Sequence, residues 1–225
     1  MKKIILSLFA ISILGFSGYY VKNNLASKNK IDNGTQDAKT LEAIQDLREG
    51  DIIFQTSKSN QSKTIQLATK SKYSHMGIIY KNNGTYFVFE AIQPVKLTPL
   101  LEWIDRGENG RFVVKRLKNA NDILTPEVLN KMKSYGETFK GKDYDLYFKW
   151  SDDKIYCSEL VWKIYKEITG IEIGKLEKLS DFDLSSQIVK QKMVERYGKK
   201  IPMDENVISP AAMFNSSVLE TVINH

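Results

Sequence analysis

The stretch from Tyr73 to Ala91, YSHMGIIYKNNGTYFVFEA, leaves the chain few ways to fold. Two apolar runs flank Asn83-Gly84. A type I′ turn needs positive φ at both central positions, which Asn and Gly tolerate best. A two-residue turn there sets Asn82 opposite Thr85, Gly77 opposite Glu90 and His75 opposite Ile92. A four-residue loop, Lys81 to Gly84, sets His75 directly opposite Glu90. In both registers His75 and Glu90 share a face, as diagonal or direct neighbours close enough for their side chains to touch. Only an odd loop would separate them. A lone histidine near a strand end is most often a satisfied structural residue, so the pair gains meaning only from the rest of the chain.

The other segments supply elements for such a sheet to pack against. TLEAIQDLREGD carries Leu41, Ile44 and Leu47 at spacing three and predicts a short helix stopped by Gly50. DIIFQTS and GRFVVKRL read as strands, and SKTIQLATKS as one to two helical turns. TPEVLNKMKSYGETFKG starts a helix near Pro126, with Val128, Leu129, Met132 and Tyr135 on one stripe. YCSELVWKIYKEITG places Leu160, Val161, Ile164, Tyr165 and Ile168 on one face, with Gly170 as the stop. SPAAMF opens a last short helix capped by Ser209 with Pro210 at its first position.

The N-terminus has a different character. Lys2 and Lys3 precede an apolar run from Ile4 to about Phe16, followed by small Ser17 and Gly18, the layout of a secretory signal. Ile4 to Val21 also has the length of an uncleaved membrane anchor. Residues 1–21 are therefore expected to export the chain or tether it, facing the periplasm or the outer side of a membrane. Residues 22–39 read as a polar tether and 40–225 as the folded domain. No cysteine lies near the end of the signal, so a lipoprotein anchor is unsupported. A hydrophobic fraction of 42% against 27% charged marks the chain as globular. The net charge of +6 comes from scattered lysines without interleaved aromatics, which argues against a nucleic-acid partner.

Cys157 is the single cysteine, so an internal disulfide is excluded. It could be a small buried hydrophobe. It also stands at or just before the first turn of a helix, where positive partial charge favours a thiolate. A neighbouring histidine could take its proton, and a carboxylate could hold the imidazole in the right tautomer. Cys157, His75 and Glu90 are thus the candidate catalytic residues. With one internal His, one Cys and no CxxC or HExxH, no metal site is expected, and no Walker or GxGxxG loop suggests a cofactor. Asp152-Asp153 could be an acid couple but fits a turn or cap at least as well. Tyr144, Tyr147 and Trp150 could line a cleft or simply pack the region before the Cys157 helix.

Four blocks carry a family resemblance: REGDIIFQTSKSNQSKTIQLATKSKYSHMGIIY, YFVFEAIQPVKLTPL, YDLYFKWSDDKIYCSELVWKIY and VISPAAMF. They closely resemble the YiiX/YebB branch of the NlpC/P60 papain-like superfamily, from about Leu47 to Phe214. The resemblance implies an α+β, circularly permuted papain-like fold, an antiparallel sheet packed against the Cys-bearing helix. In papain the Cys helix precedes the His sheet; here the order is reversed. It also implies a Cys-His-Glu triad, which falls on Cys157, His75 and Glu90. The expected activity is hydrolysis of an amide, in a cell-wall peptide or similar small peptide, through a thioacyl enzyme. The backbone N–H of Cys157 would form part of the oxyanion hole. The alternatives are an acyl-lipid hydrolase or acyltransferase, and a non-catalytic envelope-binding module. Oligomeric state stays open.

Overall fold

A computed structural model describes residues 40–225. The chain divides into two units, Met1–Gln45 and Asp46–His225. The readings of 1–21 and 22–39 lie outside the described residues. No helix among those described is long and apolar enough to cross a membrane.

The elements run β1 (Ile52–Gln55), α1 (Ser62–Thr69), β2 (His75–Asn82), β3 (Thr85–Glu90), β4 (Lys96–Pro99), α2 (Leu100–Asp105), β5 (Val113–Leu117), α3 (Ala120–Ile123), α4 (Pro126–Glu137), α5 (Cys157–Thr169), β6 (Glu177–Lys178), α6 (Gln187–Tyr197), β7 (Asn206–Val207), α7 (Pro210–Phe214) and β8 (Leu219–Asn224). Six strands form one sheet in the order β4-β3-β2-β1-β5-β8. Every neighbouring pair in it is antiparallel.

The hairpin takes the tighter of its two registers. Asn83 and Gly84 have φ of 47° and 82°, the left-handed pair a type I′ turn requires. Asn82 faces Thr85 and Ile78 faces Phe89. Gly77 permits the close approach that follows. A Cβ there would lie 2.4 Å from Val88 Cγ1 and 2.7 Å from the Phe89 carbonyl oxygen.

Alternation divides the sheet between two layers. Ile52, Phe54, Met76, Ile78 and Phe89 join Leu160, Val161 and Ile164 of α5 in the main core. The other face buries Ile53, Ile79 and Val88, and α2 packs against β3 and β4 there. α5 begins at Cys157 and ends at Gly170, whose φ of 73° closes the helix. α4 starts with Thr125 accepting from the Val128 N–H, and α7 with Ser209 accepting from the Ala212 N–H.

Two expectations are corrected. The helical segment before Gly50 ends earlier, as a 3-10 turn over Ile44–Asp46. GRFVVKRL, where Phe112 and Val114 alternate with Val113 and Lys115, would be expected to expose one face, but β5 is buried along its whole length. β5 has neighbours on both edges, and Lys115 lies nearly buried with its ammonium on the Phe214 carbonyl and ring.

Candidate active site

His75 is the first residue of β2 and Glu90 the last of β3, so both sit at one end of the sheet. Their diagonal placement brings His75 Nε2 to 2.6 Å from Glu90 Oε2. Glu90 is fully buried, and His75 is 8% exposed. A buried carboxylate needs partners for its remaining lone pairs. Thr98 Oγ1 donates to Glu90 Oε1 at 2.5 Å, and Arg106 Nη2 donates to the same oxygen. Burial pushes the Glu90 pKa up, but hydrogen bonds from His75 and Thr98, with the charges of His75 and Arg106, hold it below the usual glutamate value. Trp103 of α2 covers the imidazole, with ring centroids 5.9 Å apart and planes 25° from parallel.

Cys157 approaches the imidazole from the N-terminus of α5. Tyr156, before it, is extended, and Glu159 accepts from the Tyr156 N–H at 3.5 Å to close the first turn. The first helical N–H groups have no partner within the helix and leave positive partial charge at the sulfur. Burial pulls the His75 pKa down. The hydrogen bonds and charges of Cys157 and Glu90 outweigh it and hold the ring at about 9. Since Nε2–H is directed at Glu90, Nδ1 is the nitrogen left to serve Cys157. The three residues singled out in the sequence therefore meet in one place.

Tyr144 reaches the same sulfur. Although Gln61 opposes them, burial, then the charge of Cys157 and hydrogen bonding to it, push the Tyr144 pKa well above the usual tyrosine range. It therefore remains an O–H donor. Tyr147 and Trp150 do not join it. Tyr147 packs on Tyr197 and Trp150 on Trp162. Asp152 pairs with Lys163 at 2.7 Å, away from the imidazole.

Two cavities flank Cys157 and His75, with Tyr144 lining both. On the cysteine side, Ile65, Phe148, Phe182, Leu184, Val189 and Met193 surround about 650 Å³ of apolar space that includes open solvent. On the histidine side lies a wider cleft of about 1480 Å³, also counting open solvent, where Lys58, Gln61, Gln93 and Arg106 stand among Tyr144, Ile92 and Leu146.

Sequence reasoning missed Thr98, Trp103 and Arg106. The segment AIQPVKLTPL reads as mostly apolar, yet Lys96–Pro99 pairs with β3 as an edge strand and sets Lys96 opposite Glu90. Thr98, two residues on, lies on the same face. That inference was available once a third strand was assumed. Nothing in the local pattern marks Arg106, which reaches Glu90 from the end of a short helix.

Residues 46–223 match a family described as "Permuted papain-like amidase enzyme, YaeF/YiiX, C92 family". "Uncharacterized protein YiiX" of Escherichia coli strain K12 is 50% identical over 173 residues, covering 77% of this chain and 84% of that protein. A solved structure described as "Crystal structure of metalloprotein yiiX from Escherichia coli O157:H7, DUF1105" matches with a TM-score of 0.76 and 48% identity. The match covers 79% of this chain and 97% of that one.

Proposed function

Because the chain belongs to the permuted papain-like amidase family of the YaeF/YiiX type, we propose that it is a cysteine amidase with Cys157 as nucleophile, His75 as base and acid, and Glu90 as orienter. The observation that carries this reading is the buried imidazole held between the Glu90 carboxylate at 2.6 Å and Cys157 at a helix N-terminus. The Cys157 thiolate attacks the amide carbonyl carbon. The Cys157 N–H and the Tyr144 hydroxyl donate to the oxyanion that forms. Protonated His75 then gives its Nδ1 proton to the leaving nitrogen, the C–N bond breaks, and a thioester and an amine result. Neutral His75 next takes a proton from water, and the hydroxide attacks the thioester. The acid leaves as the thiolate is restored, and the proton remains on His75.

The relative described as a metalloprotein raises the question of a metal. Among the described residues, no group of three or more His, Cys, Asp or Glu side chains could hold one. His75 Nε2 and both Glu90 oxygens are engaged, and the Arg106 guanidinium already supplies a positive charge to Glu90 Oε1. The donor set does not fit a resident metal.

The substrate reading rests on the two cavities. A scissile amide at Cys157 would extend a polar half into the open cleft and an apolar half into the space around Phe148 and Met193. A small wall peptide accounts for the first cavity only. The second favours the other reading, an acyl lipid of the envelope. The same proposal puts the enzyme outside the cytoplasm, secreted or tethered through residues 1–21, and recovery of the native protein in the cytosolic fraction would overturn that part.

Incubating wild type and Cys157→Ala with purified wall fragments and, separately, with membrane lipids, followed by mass spectrometry, tests the assignment. Cys157-dependent release of an amine from either supports the amidase. Release of fatty acid from ester lipids alone would replace it with a lipid esterase. If neither changes, and iodoacetamide labels folded, unfolded and His75→Ala proteins equally near pH 6, the binding-module reading stands instead.

A further inference from the structure

Resting on that reading, we infer that Arg106 is a positioning residue: it keeps the Glu90 carboxylate charged and aimed at His75 while the imidazole is neutral. In the proposed cycle His75 carries its proton at rest and in the thiolate pair, and gives it up to the leaving amine. At that moment a fully buried carboxylate loses its titratable cation. Unless another charge is present, burial favours moving a proton onto the His75–Glu90 pair. That proton would block Nδ1, the nitrogen needed to activate water.

Arg106 is built to prevent this. A guanidinium is a permanent cation, and Arg106 Nη2 is bonded to Glu90 Oε1, the oxygen not used by His75. Its backbone is fixed as well. The Lys58 N–H donates to the Arg106 carbonyl at 3.1 Å, and Gly107 bridges to Ser57. A Cβ at Gly107 would lie 2.3 Å from Gln55 Oε1 and 3.1 Å from the Ile104 carbonyl oxygen, so a side chain there would have to displace the Gln55 amide. The other charged or titratable groups around the pair do not substitute for it. Lys96 stands opposite Glu90 in the β3–β4 register but makes no ion pair with it. Lys58 is turned to the Asp105 carbonyl. Asp105 and Glu102 of α2 are acidic, and Cys157 and Tyr144 act on the far side of the imidazole.

Removing a cation from beside a coupled pair raises the pair's proton affinity. Neutralising Arg106 should therefore make His75 harder to deprotonate, which slows water activation yet favours thiolate formation. The chain has two histidines, His75 and His225, so ¹⁵N-histidine NMR reads the effect directly, with His225→Gln for assignment. Protein alkylated at Cys157 by iodoacetamide removes the thiolate from the titration. In Arg106→Met and Arg106→Gln the His75 pKa should rise by about one unit, a tenfold gain in proton affinity. Arg106→Lys should remain near wild type. Labelling of Cys157 at pH 6, which also reports an intact site, should be as fast as in wild type or faster. An unchanged or lowered His75 pKa in the two neutral variants, or a Lys variant that behaves like them, overturns the inference. Failure of the catalytic reading is separate, since it would show in His75→Ala labelling with Arg106 intact.

Discussion

Two carboxylates are buried completely at the ends of two strands, Asp51 before β1 and Glu90 closing β3, and each meets an arginine. Asp51, before β1, takes a two-pronged bond from Arg116, Nε to Oδ1 and Nη2 to Oδ2, both at 2.7 Å. The Arg48 N–H adds a third at 2.8 Å. Glu90 takes its bonds from an imidazole, a hydroxyl and a guanidinium. Burial raises the Asp51 pKa despite Arg116, whereas the partners of Glu90 overcome burial and lower its pKa. The first carboxylate locks strand to strand with partners that never change charge. The second has one partner that must change charge and another that cannot. The exposure of the arginines differs too: the Arg116 side chain is 10% exposed and that of Arg106 35%.

The largest expected effect separates the two ends by stability. Asp51→Asn strands Arg116 in a dry site and should cost about 3–5 kcal/mol in urea unfolding. Glu90→Gln should cost only about 1–2 kcal/mol, because water can reach Arg106. Equal costs would erase the distinction. Reactivity should divide them the other way. His75→Ala should slow iodoacetamide labelling near pH 6 on the order of a hundredfold, since an ordinary thiol with pKa of about 8.5 is almost wholly protonated there. Asp51→Asn should leave the rate in folded molecules unchanged, and a matching fall would make both ends part of one site.

The third effect depends on pH. The folded pKa of His75, about 9, lies above its ordinary 6.5. Its contribution to stability is full below 6.5 and is lost as pH rises through 9, a decline of about 3 kcal/mol. The depressed Glu90 contributes above its ordinary value of 4.5 and loses that as pH falls through its folded pKa. Unfolding curves between pH 6.5 and 9 should slope in wild type and flatten in His75→Gln. An equal slope in both would assign it to Glu159, whose buried carboxyl is pushed up to about 8. The smallest effect belongs to the Asp51 end. Tyr165→Phe removes the hydroxyl that donates to the Gly50 carbonyl, and should cost about 1 kcal/mol with no change in labelling.

Local chemistry made much of this molecule readable. Asn83-Gly84 marked the hairpin, and either register open to it placed His75 beside Glu90. Cys157 was legible because a helical stripe begins there and Gly170 ends it. Residues that act through the third dimension were not. Arg116 lies 65 positions from Asp51, and no periodicity announces a partner at that distance. α6 buries only Val189 and Met193, too narrow a stripe to mark a helix. β8 joins the sheet at its β5 edge with a register shift between Val114 and Lys115, which breaks the pattern that would have revealed it. The aromatics before Cys157 separated only in space, where Tyr144 alone among Tyr144, Tyr147 and Trp150 lines the two cavities.

Trp103 and Arg106 belong to one helical turn and its cap, and α2 is six residues long. A helix so short has little stability of its own, so its packing on β3 and β4 holds it in place. The cover of the imidazole and the clamp on the carboxylate must then be released together. A single local opening of α2 would expose His75 to water and free Glu90 in one event, so inactivation on warming would be a step ahead of global unfolding. Amide exchange in α2 and loss of fast Cys157 labelling would share one opening free energy, smaller than that of the β1–β2 amides.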